Sequence, residues 1–162
     1  MDWGAAGAAG QVIASLGVIA SLFYLGRQIR QNARSTRAAT YQSINMHIGA
    51  MLRPLFESAE VAGFAQKALG DLGSLSAEER LRFTAFCSMI FRHYDAVYYQ
   101  FKTGMLAREQ WEGFEAYIRM ALARYPGLAA WWGENRAIFS SDFVTLVDGI
   151  LGAQTAQDRD AA

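Results

Sequence analysis

The longest segment without a charged side chain lies at the start of the sequence. Between Asp2 and Arg27 there are 24 consecutive uncharged residues. At about 1.5 Å per residue, a helix of this length spans roughly 36 Å, which exceeds the hydrocarbon core of a bilayer at about 30 Å. Trp3 and Tyr24 stand near its two ends, where aromatic rings favour the headgroup region. The pattern predicts a transmembrane anchor over residues 1–26.

Small residues recur along one side of this predicted helix. Gly10, Ala14, Gly17 and Ser21 follow one another at spacings of four, three and four. Such a face lets a second transmembrane helix approach closely. The alternative is that glycine and alanine are simply common in membrane helices. The first interpretation predicts contact with other transmembrane helices, either of a different protein or of a second copy.

An amphipathic pattern continues beyond the anchor and predicts that the helix runs into the next domain. Pro54 disfavours helix just before itself, so we expect a break or kink near residues 51–53, after a basic juxtamembrane helix over residues 27–53. The apolar positions of this helix recur at intervals of three and four: Ile29, Ala33, Thr36, Thr40, Ile44, Ile48, Met51 and Leu55.

The rest of the sequence predicts helices and no sustained strand. Ser76 and Glu79 have the spacing of a capping box and open a long helix that ends near Gly104. Shorter helices are predicted over 58–69, 111–125, 128–139 and 142–151. The predicted fold class is all-α, with one N-terminal transmembrane helix that continues into a cytoplasmic helical bundle over residues 54–152. Residues 153–162 are predicted to be a flexible tail.

Positive charge is concentrated directly after the anchor. Residues 27–53 contain five arginines and no acid, whereas the sequence from Glu57 onward contains fourteen acids and ten bases. On a helix, four of these arginines fall within an arc of about 80° and are expected to contact anionic headgroups. These are Arg27, Arg30, Arg34 and Arg37. The alternatives are pairing with the acidic remainder or with a partner subunit, and binding of nucleic acid, which usually needs a broader patch.

This charge distribution also predicts an orientation. Short basic flanks stay in the cytoplasm, which places the N-terminus in the periplasm and the C-terminal domain in the cytoplasm at a bacterial inner membrane. A cleaved signal peptide would need a positive charge before the apolar segment, where the only charge is Asp2. A buried helix of a soluble protein is the remaining alternative. Because fifteen basic residues balance fifteen acidic ones, nucleic acid is not an expected partner.

Aromatic residues are dense in the second half of the chain. Fifteen of the twenty-one lie between Phe83 and Phe143, which suggests either a packed core or a pocket for a ligand. Most of them follow helical stripes, which favours the core. Trp131 and Trp132 are adjacent, about 100° apart on a helix, and cannot share one seam. One of the two is therefore expected at the surface, either as a contact for a partner or as an anchor at the membrane interface.

The sequence lacks the common motifs of catalysis and metal binding. It contains no nucleophile elbow, no Walker loop, no His-Glu-x-x-His and no paired-cysteine spacing. Ile44 and Ile90 precede His47 and His93 where di-iron bundles place a glutamate. We expect Cys87 to be an inert buried thiol and His93 to be hydrogen-bonded beside the core. The prediction is a protein without enzymatic activity, metal or cofactor.

Several short segments along the chain together form a pattern: Tyr24-Leu25, Gln28 to Asn32, Arg34, Thr36 to Ala39, Leu75-Ser76, Glu79-Arg80, Arg82-Phe83, Tyr98, Gln100-Phe101, Gly104, Trp111, Pro126-Gly127, Trp131-Trp132, Arg136 and Phe139. These segments resemble a family of bacterial single-span membrane proteins to which no activity is assigned. The resemblance covers most of the chain and implies an anchor followed by a helical cytoplasmic domain, and it transfers no catalytic residue. Where this chain has Ala107, the family usually has a better helix-starting residue.

These patterns lead to three hypotheses about function. The first is a non-enzymatic accessory or scaffolding subunit of an inner-membrane complex, based on the small-residue face, the basic stripe and the tryptophan expected at the surface. The second is a membrane-tethered sensor whose aromatic domain binds a small apolar ligand, which requires a cavity near Tyr94, Tyr98 and Trp111. The third is a hydrolytic or redox enzyme using His93, Asp95 or Cys87, which the missing motifs disfavour.

Overall fold

The computed structural model describes the backbone of residues 3–160 and the side chains of Gln11 and of residues 16–156. All regular structure in this part of the chain is helical, which confirms the predicted all-α class. The chain forms two compact units that divide between Tyr41 and Gln42. The α-helices are α1 (Trp3–Glu57), α2 (Ala59–Gly70), α3 (Ala77–Lys102), α4 (Arg108–Arg124), α5 (Pro126–Asn135) and α6 (Ser141–Asp160).

The first unit consists of the N-terminal part of α1. Most side chains of the predicted anchor, residues 1–26, lie outside the described ones. Among the described residues, no helix has an apolar stretch long enough to cross a membrane. The apolar stripe predicted beyond the anchor is wrong in its first half, because Ile29, Ala33 and Thr36 are exposed. Within the second unit the same stripe is correct, and Ile44 is buried in the core.

The break predicted before Pro54 is wrong. Helix α1 passes through Pro54 and ends at Glu57. Proline removes one backbone donor, but its carbonyl still accepts the N–H of Ser58 at 3.1 Å. Proline removes only the hydrogen bond that its own N–H would make, and the helix continues for three residues beyond it. Ser58 has an extended backbone and caps α2, accepting the N–H of Val61 with its hydroxyl.

Helix α3 begins and ends as the sequence predicts. Ser76 Oγ accepts the N–H of Glu79 at 3.2 Å, and the Glu79 carboxylate accepts the N–H of Ser76 at 2.8 Å, which completes the capping box. Gly104 has a φ of +75°, a conformation that glycine adopts without steric cost, and it follows the end of the helix. The next helix, α4, has no side-chain cap at Ala107.

Helix α5 begins earlier than the sequence predicts, and helix α6 ends later. Helix α5 starts at Pro126, a residue whose fixed φ suits the first helical position, and not at Leu128. Ser140 caps α6 through the N–H of Phe143, at 3.4 Å. The backbone of α6 remains helical to Asp160, well into the segment predicted as a flexible tail. One reason is that Gln154 donates its side-chain amide to the carbonyl oxygen of Arg119, at 2.7 Å.

Helix α5 lies at the centre of the second unit and contacts α2, α3 and α4. Its closest approach is to α2, where a Cβ added at Gly127 would lie 2.0 Å from the carbonyl oxygen of Ala68. Only glycine allows the two backbones to meet there. The core around α5 contains large rings that are almost completely buried: Phe83, Trp131, Trp132 and Phe143.

Candidate functional site

The first unit exposes its apolar side chains. Eight of them, on every side of the helix, are at least 50% exposed: Leu16, Val18, Ile19, Leu22, Phe23, Tyr24, Leu25 and Ile29. Residues 22–25 are consecutive and together cover a full turn. A helix that is apolar all round is typical of one surrounded by lipid or by other apolar helices.

The small-residue face is described only in part. Gly10 and Ala14 lie outside the described side chains. Gly17 and Ser21 are exposed, and a Cβ added at Gly17 would have no neighbour within 4 Å. Ser21 donates its hydroxyl to the carbonyl oxygen of Gly17 at 2.8 Å, so its polar group is satisfied within the helix. This part of the face is smooth and open to a neighbouring helix.

The four arginines of the basic stripe are all exposed on α1. Arg27, Arg30, Arg34 and Arg37 make no ion pair within the described part of the chain. In contrast, Arg53 pairs with Glu57 at 3.9 Å. The charges of the stripe are therefore available to an external anion.

The predicted exposure of one of the two adjacent tryptophans is wrong. Trp131 and Trp132 are each only 1% exposed. The 100° between them directs each ring to a different neighbour, and α5 is covered on both sides. Trp131 donates its indole N–H to Thr84 of α3 at 3.2 Å, and Trp132 donates to Asp148 of α6 at 2.9 Å. Neither is a surface for a partner.

Phe91 links these rings into one aromatic cluster. Its ring centroid lies 5.5 Å from that of Trp131 and 4.9 Å from that of Trp132. Phe139 and Phe143 complete the cluster at 6.0 and 6.5 Å. These separations are those of favourable aromatic pairs. Most of the aromatic density in the sequence is therefore packing, as predicted.

An apolar cleft remains beside this cluster, within the second unit. Its volume is about 170 Å³, and it lies between the end of α1 and helices α2 to α5. Tyr117 is 45% exposed, so the cleft reaches the surface. The residues that line it are Ile48, Leu52, Leu55, Leu69, Phe86, Cys87, Ile90, Phe91, Tyr94, Tyr117, Ile118, Ala121, Tyr125 and Leu128. Of the three residues near which the sensor hypothesis requires a cavity, Tyr94 lines this cleft.

The other two residues named for that cavity lie elsewhere. Tyr98 and Trp111 do not line the cleft, and their ring centroids are 5.0 Å apart. Trp111 donates its indole N–H to Glu115 at 3.0 Å. The sequence could not separate these packed rings from those at the cleft, because both groups follow the same helical period.

The environment of the cleft suppresses ionisation. Burial raises the pKa of the Cys87 thiol well above its usual range, which agrees with the predicted inert cysteine. Burial, and secondarily Tyr117, also raises the pKa of the Tyr94 phenol. The two tyrosine rings stack with centroids 6.2 Å apart. No side chain with a formal charge lines this space among the described residues.

The hydrogen bonding predicted for His93 is not found at its Nε2 atom. Its Nε2 atom is buried and has no partner in the described part of the chain. Burial, followed by the nearby His47, lowers the pKa of His93 and favours the neutral ring. His47 itself bonds within α1, with Nδ1 at 2.8 Å from the carbonyl oxygen of Ser43.

Asp95 is not available to act with His93. Its carboxylate accepts the N–H and the hydroxyl of Ser140, at 3.1 and 2.5 Å, and so fixes the start of α6. Among the described residues, no group of three His, Cys, Asp or Glu side chains is placed to hold a metal ion. Asp95 therefore does not orient the His93 ring as a base.

Comparisons with family models, curated proteins and solved structures found no match. On the geometry alone, the candidate sites are the exposed helix with its basic stripe in the first unit and the apolar cleft in the second.

Proposed function

We propose that the protein is a non-enzymatic accessory or scaffolding subunit of a bacterial inner-membrane complex, anchored by the N-terminal part of α1. The observation that carries this proposal is the exposure of eight large apolar side chains between Leu16 and Ile29. Removing one such side chain from water is worth about 1.5–3 kcal/mol. This segment therefore gains the most free energy when lipid or other apolar helices cover it.

The arginines next to the uncharged segment support an orientation for the anchor. The uncharged segment ends at Arg27, and the stripe through Arg37 is exposed and makes no described ion pair. In the proposed arrangement these arginines contact anionic headgroups on the cytoplasmic side, and the N-terminus is periplasmic. Membership of the family of single-span proteins that the sequence resembles is part of this proposal.

The small-residue face supports a partner within the membrane. Gly17 and Ser21 present no large side chain, and Ser21 leaves no unpaired hydroxyl. Close approach of a second helix at such a face gains van der Waals contact where the hydrophobic effect between helices is weak. The proposed partner is another transmembrane helix, in a complex with different subunits or with a second copy.

The test is gentle extraction of the tagged full-length protein from its own membranes, followed by sizing and mass spectrometry. We expect a complex of defined stoichiometry. Gly17→Leu should release the partner, whereas Val18→Leu, one residue away on another side of the helix, should retain it. A monomer that recovers nothing from native membranes would contradict the proposal, as would equal loss of partner in both variants.

The apolar cleft favours a second function, a membrane-tethered sensor that binds a small ligand. The cleft lies within the folded helical unit and reaches the surface beside Tyr117. Ligand sites are concave and mostly apolar, with few polar groups. Organic extraction of the purified native protein should release one small molecule per chain, identified by mass spectrometry. Absence of any such molecule would contradict a sensor that is occupied in the cell.

A further inference from the structure

The size of the apolar cleft limits what it can hold. Its volume is about 170 Å³. An engineered apolar cavity of about 150 Å³ in another protein remains dry and binds benzene. Drug-sized ligands occupy sites of about 300–1,000 Å³. The space in this protein is therefore closer to that of a single ring than to the site of a drug-sized ligand.

The walls of the cleft select for an aromatic ring. Aromatic surfaces come from α3, from α4 and from the residue that ends α4, and aliphatic surfaces stand between them. Tyr94 and Tyr117 already stack on each other at 6.2 Å. Offset-stacked and edge-on contacts with such rings add to the gain from burial. The aromatic walls are Phe86, Phe91, Tyr94, Tyr117 and Tyr125, and the aliphatic ones include Ile48, Ile90, Ile118 and Leu128.

The polarity of the cleft selects for a neutral molecule. Its polar groups are the three tyrosine hydroxyls and the thiol of Cys87, and no charged side chain lines it among the described residues. An ion transferred into such a site would lose its hydration without gaining a counter-ion. In contrast, a neighbouring cleft of about 230 Å³, which shares Leu55 and Phe86, includes Glu60 and Arg82 in its lining.

We propose that the cleft between α1, α3 and α4 binds a small neutral aromatic molecule of one ring. The ring lies among Ile48, Ile90 and Ile118, next to Tyr94 and Tyr117. This inference deepens the second function proposed above, rests on it, and names its class of ligand.

The test uses the full-length protein in detergent micelles, with isoleucine methyl groups labelled for NMR and benzene as the probe. Ring currents from benzene should shift the methyl signals of Ile48, Ile90 and Ile118 along one saturable curve. Ile138, which is exposed outside the cleft, should not follow that curve. Benzylamine, which is charged at neutral pH, should bind at least tenfold more weakly.

Matched variants locate the site. Ala121→Leu fills the cleft and should weaken benzene binding at least tenfold, whereas Ala123→Leu, an exposed position on the same helix, should leave it within twofold. If Ala121→Leu does not fold, Ile48→Phe fills the same space from α1. Unsaturable shifts at all isoleucines, or wild-type binding in the filled variants, would overturn the proposal.

The outcomes also separate this inference from the sensor function. A charged or long-chain molecule in the organic extract of the native protein would overturn the neutral single-ring class and leave a ligand-binding function standing. Specific benzene binding without any natural molecule in the extract would support the class of ligand and count against the sensor.

Discussion

The two units contain the same kinds of apolar residue in opposite environments. Phe23 in the first unit is 74% exposed, whereas Phe91 in the second is 3% exposed. The second unit surrounds its rings with α3, α5 and α6 and satisfies both buried indoles with Thr84 and Asp148. The described part of the first unit is a single helix, which has no second element of its own to cover it.

This difference separates the unit that has its own core from the unit for which we propose an external partner. A helical domain with its own core obtains its stability from burial within the chain. An apolar helix without such cover obtains it from outside, from lipid or from another helix. Substitutions in the two units should therefore affect different measurements, and paired variants can separate them.

The largest difference is expected between two variants that carry the same substitution, one in each unit. Phe91→Ala removes the ring at the centre of the aromatic cluster and should lower the free energy of unfolding by about 3–5 kcal/mol. Phe23→Ala should leave unfolding of the helical domain unchanged, because that ring is exposed. Urea denaturation followed by tryptophan fluorescence measures both. Equal destabilisation by the two variants would contradict the division into an independent core and an uncovered helix.

The next effect concerns the contact between α5 and α2. Gly127→Ala places a Cβ against the carbonyl oxygen of Ala68, backbone against backbone, and should cost about 1–3 kcal/mol of unfolding free energy. Gly133→Ala in the same helix has open space around it and should be neutral or stabilise by up to about 1 kcal/mol. Thermal unfolding of the pair tests this. A neutral Gly127→Ala would mean that α5 can move away from α2.

Local signals in the sequence predicted where helices begin and end better than which helices pack against one another. The capping box of Ser76 and Glu79 and the stop at Gly104 depend on a few adjacent residues, and both are confirmed. The rule that helix is disfavoured just before a proline fails at Pro54, because α1 runs through it to Glu57. A preference at one residue does not decide where a long helix ends.

The candidate site was harder to predict because it is made by non-local packing. The adjacent tryptophans were expected to leave one ring exposed, but α3 and α6 cover both sides of α5. Nothing in the local sequence around Trp132 identifies Asp148 as the acceptor of its N–H. Similarly, the aromatic density around Tyr94 predicted a pocket or a core, and only the packing distinguishes the cleft from the filled regions.

A smaller effect is expected at the basic stripe of the uncovered helix. Arg30→Gln should reduce the preference for phosphatidylglycerol over phosphatidylcholine by about 1 kcal/mol, roughly fivefold, because one charge near an anionic surface is lost. Arg53→Gln is the control, since Arg53 already pairs with Glu57. Native mass spectrometry of lipids retained by the full-length protein measures the preference. An equal loss of lipid preference in both variants would show that the preference does not depend on the basic stripe.

The smallest effect is a pH dependence confined to the helical domain. The side chain of Lys67 donates to both carboxylate oxygens of Glu79, at 2.9 and 2.8 Å, and this contact, followed by the N–H of Ser76, lowers the pKa of Glu79. The unfolded chain, with a pKa of about 4.3, then binds a proton more readily than the folded one. The stabilisation is present above that value and is lost as the pH falls through the lower folded pKa.

We expect the urea midpoint of the wild type to fall more steeply below about pH 5 than that of Glu79→Gln, which lacks the titrating group. Glu78→Gln, which leaves this pair intact, should retain the wild-type steepness, and an unchanged slope in Glu79→Gln would show that the pair does not couple folding to acid.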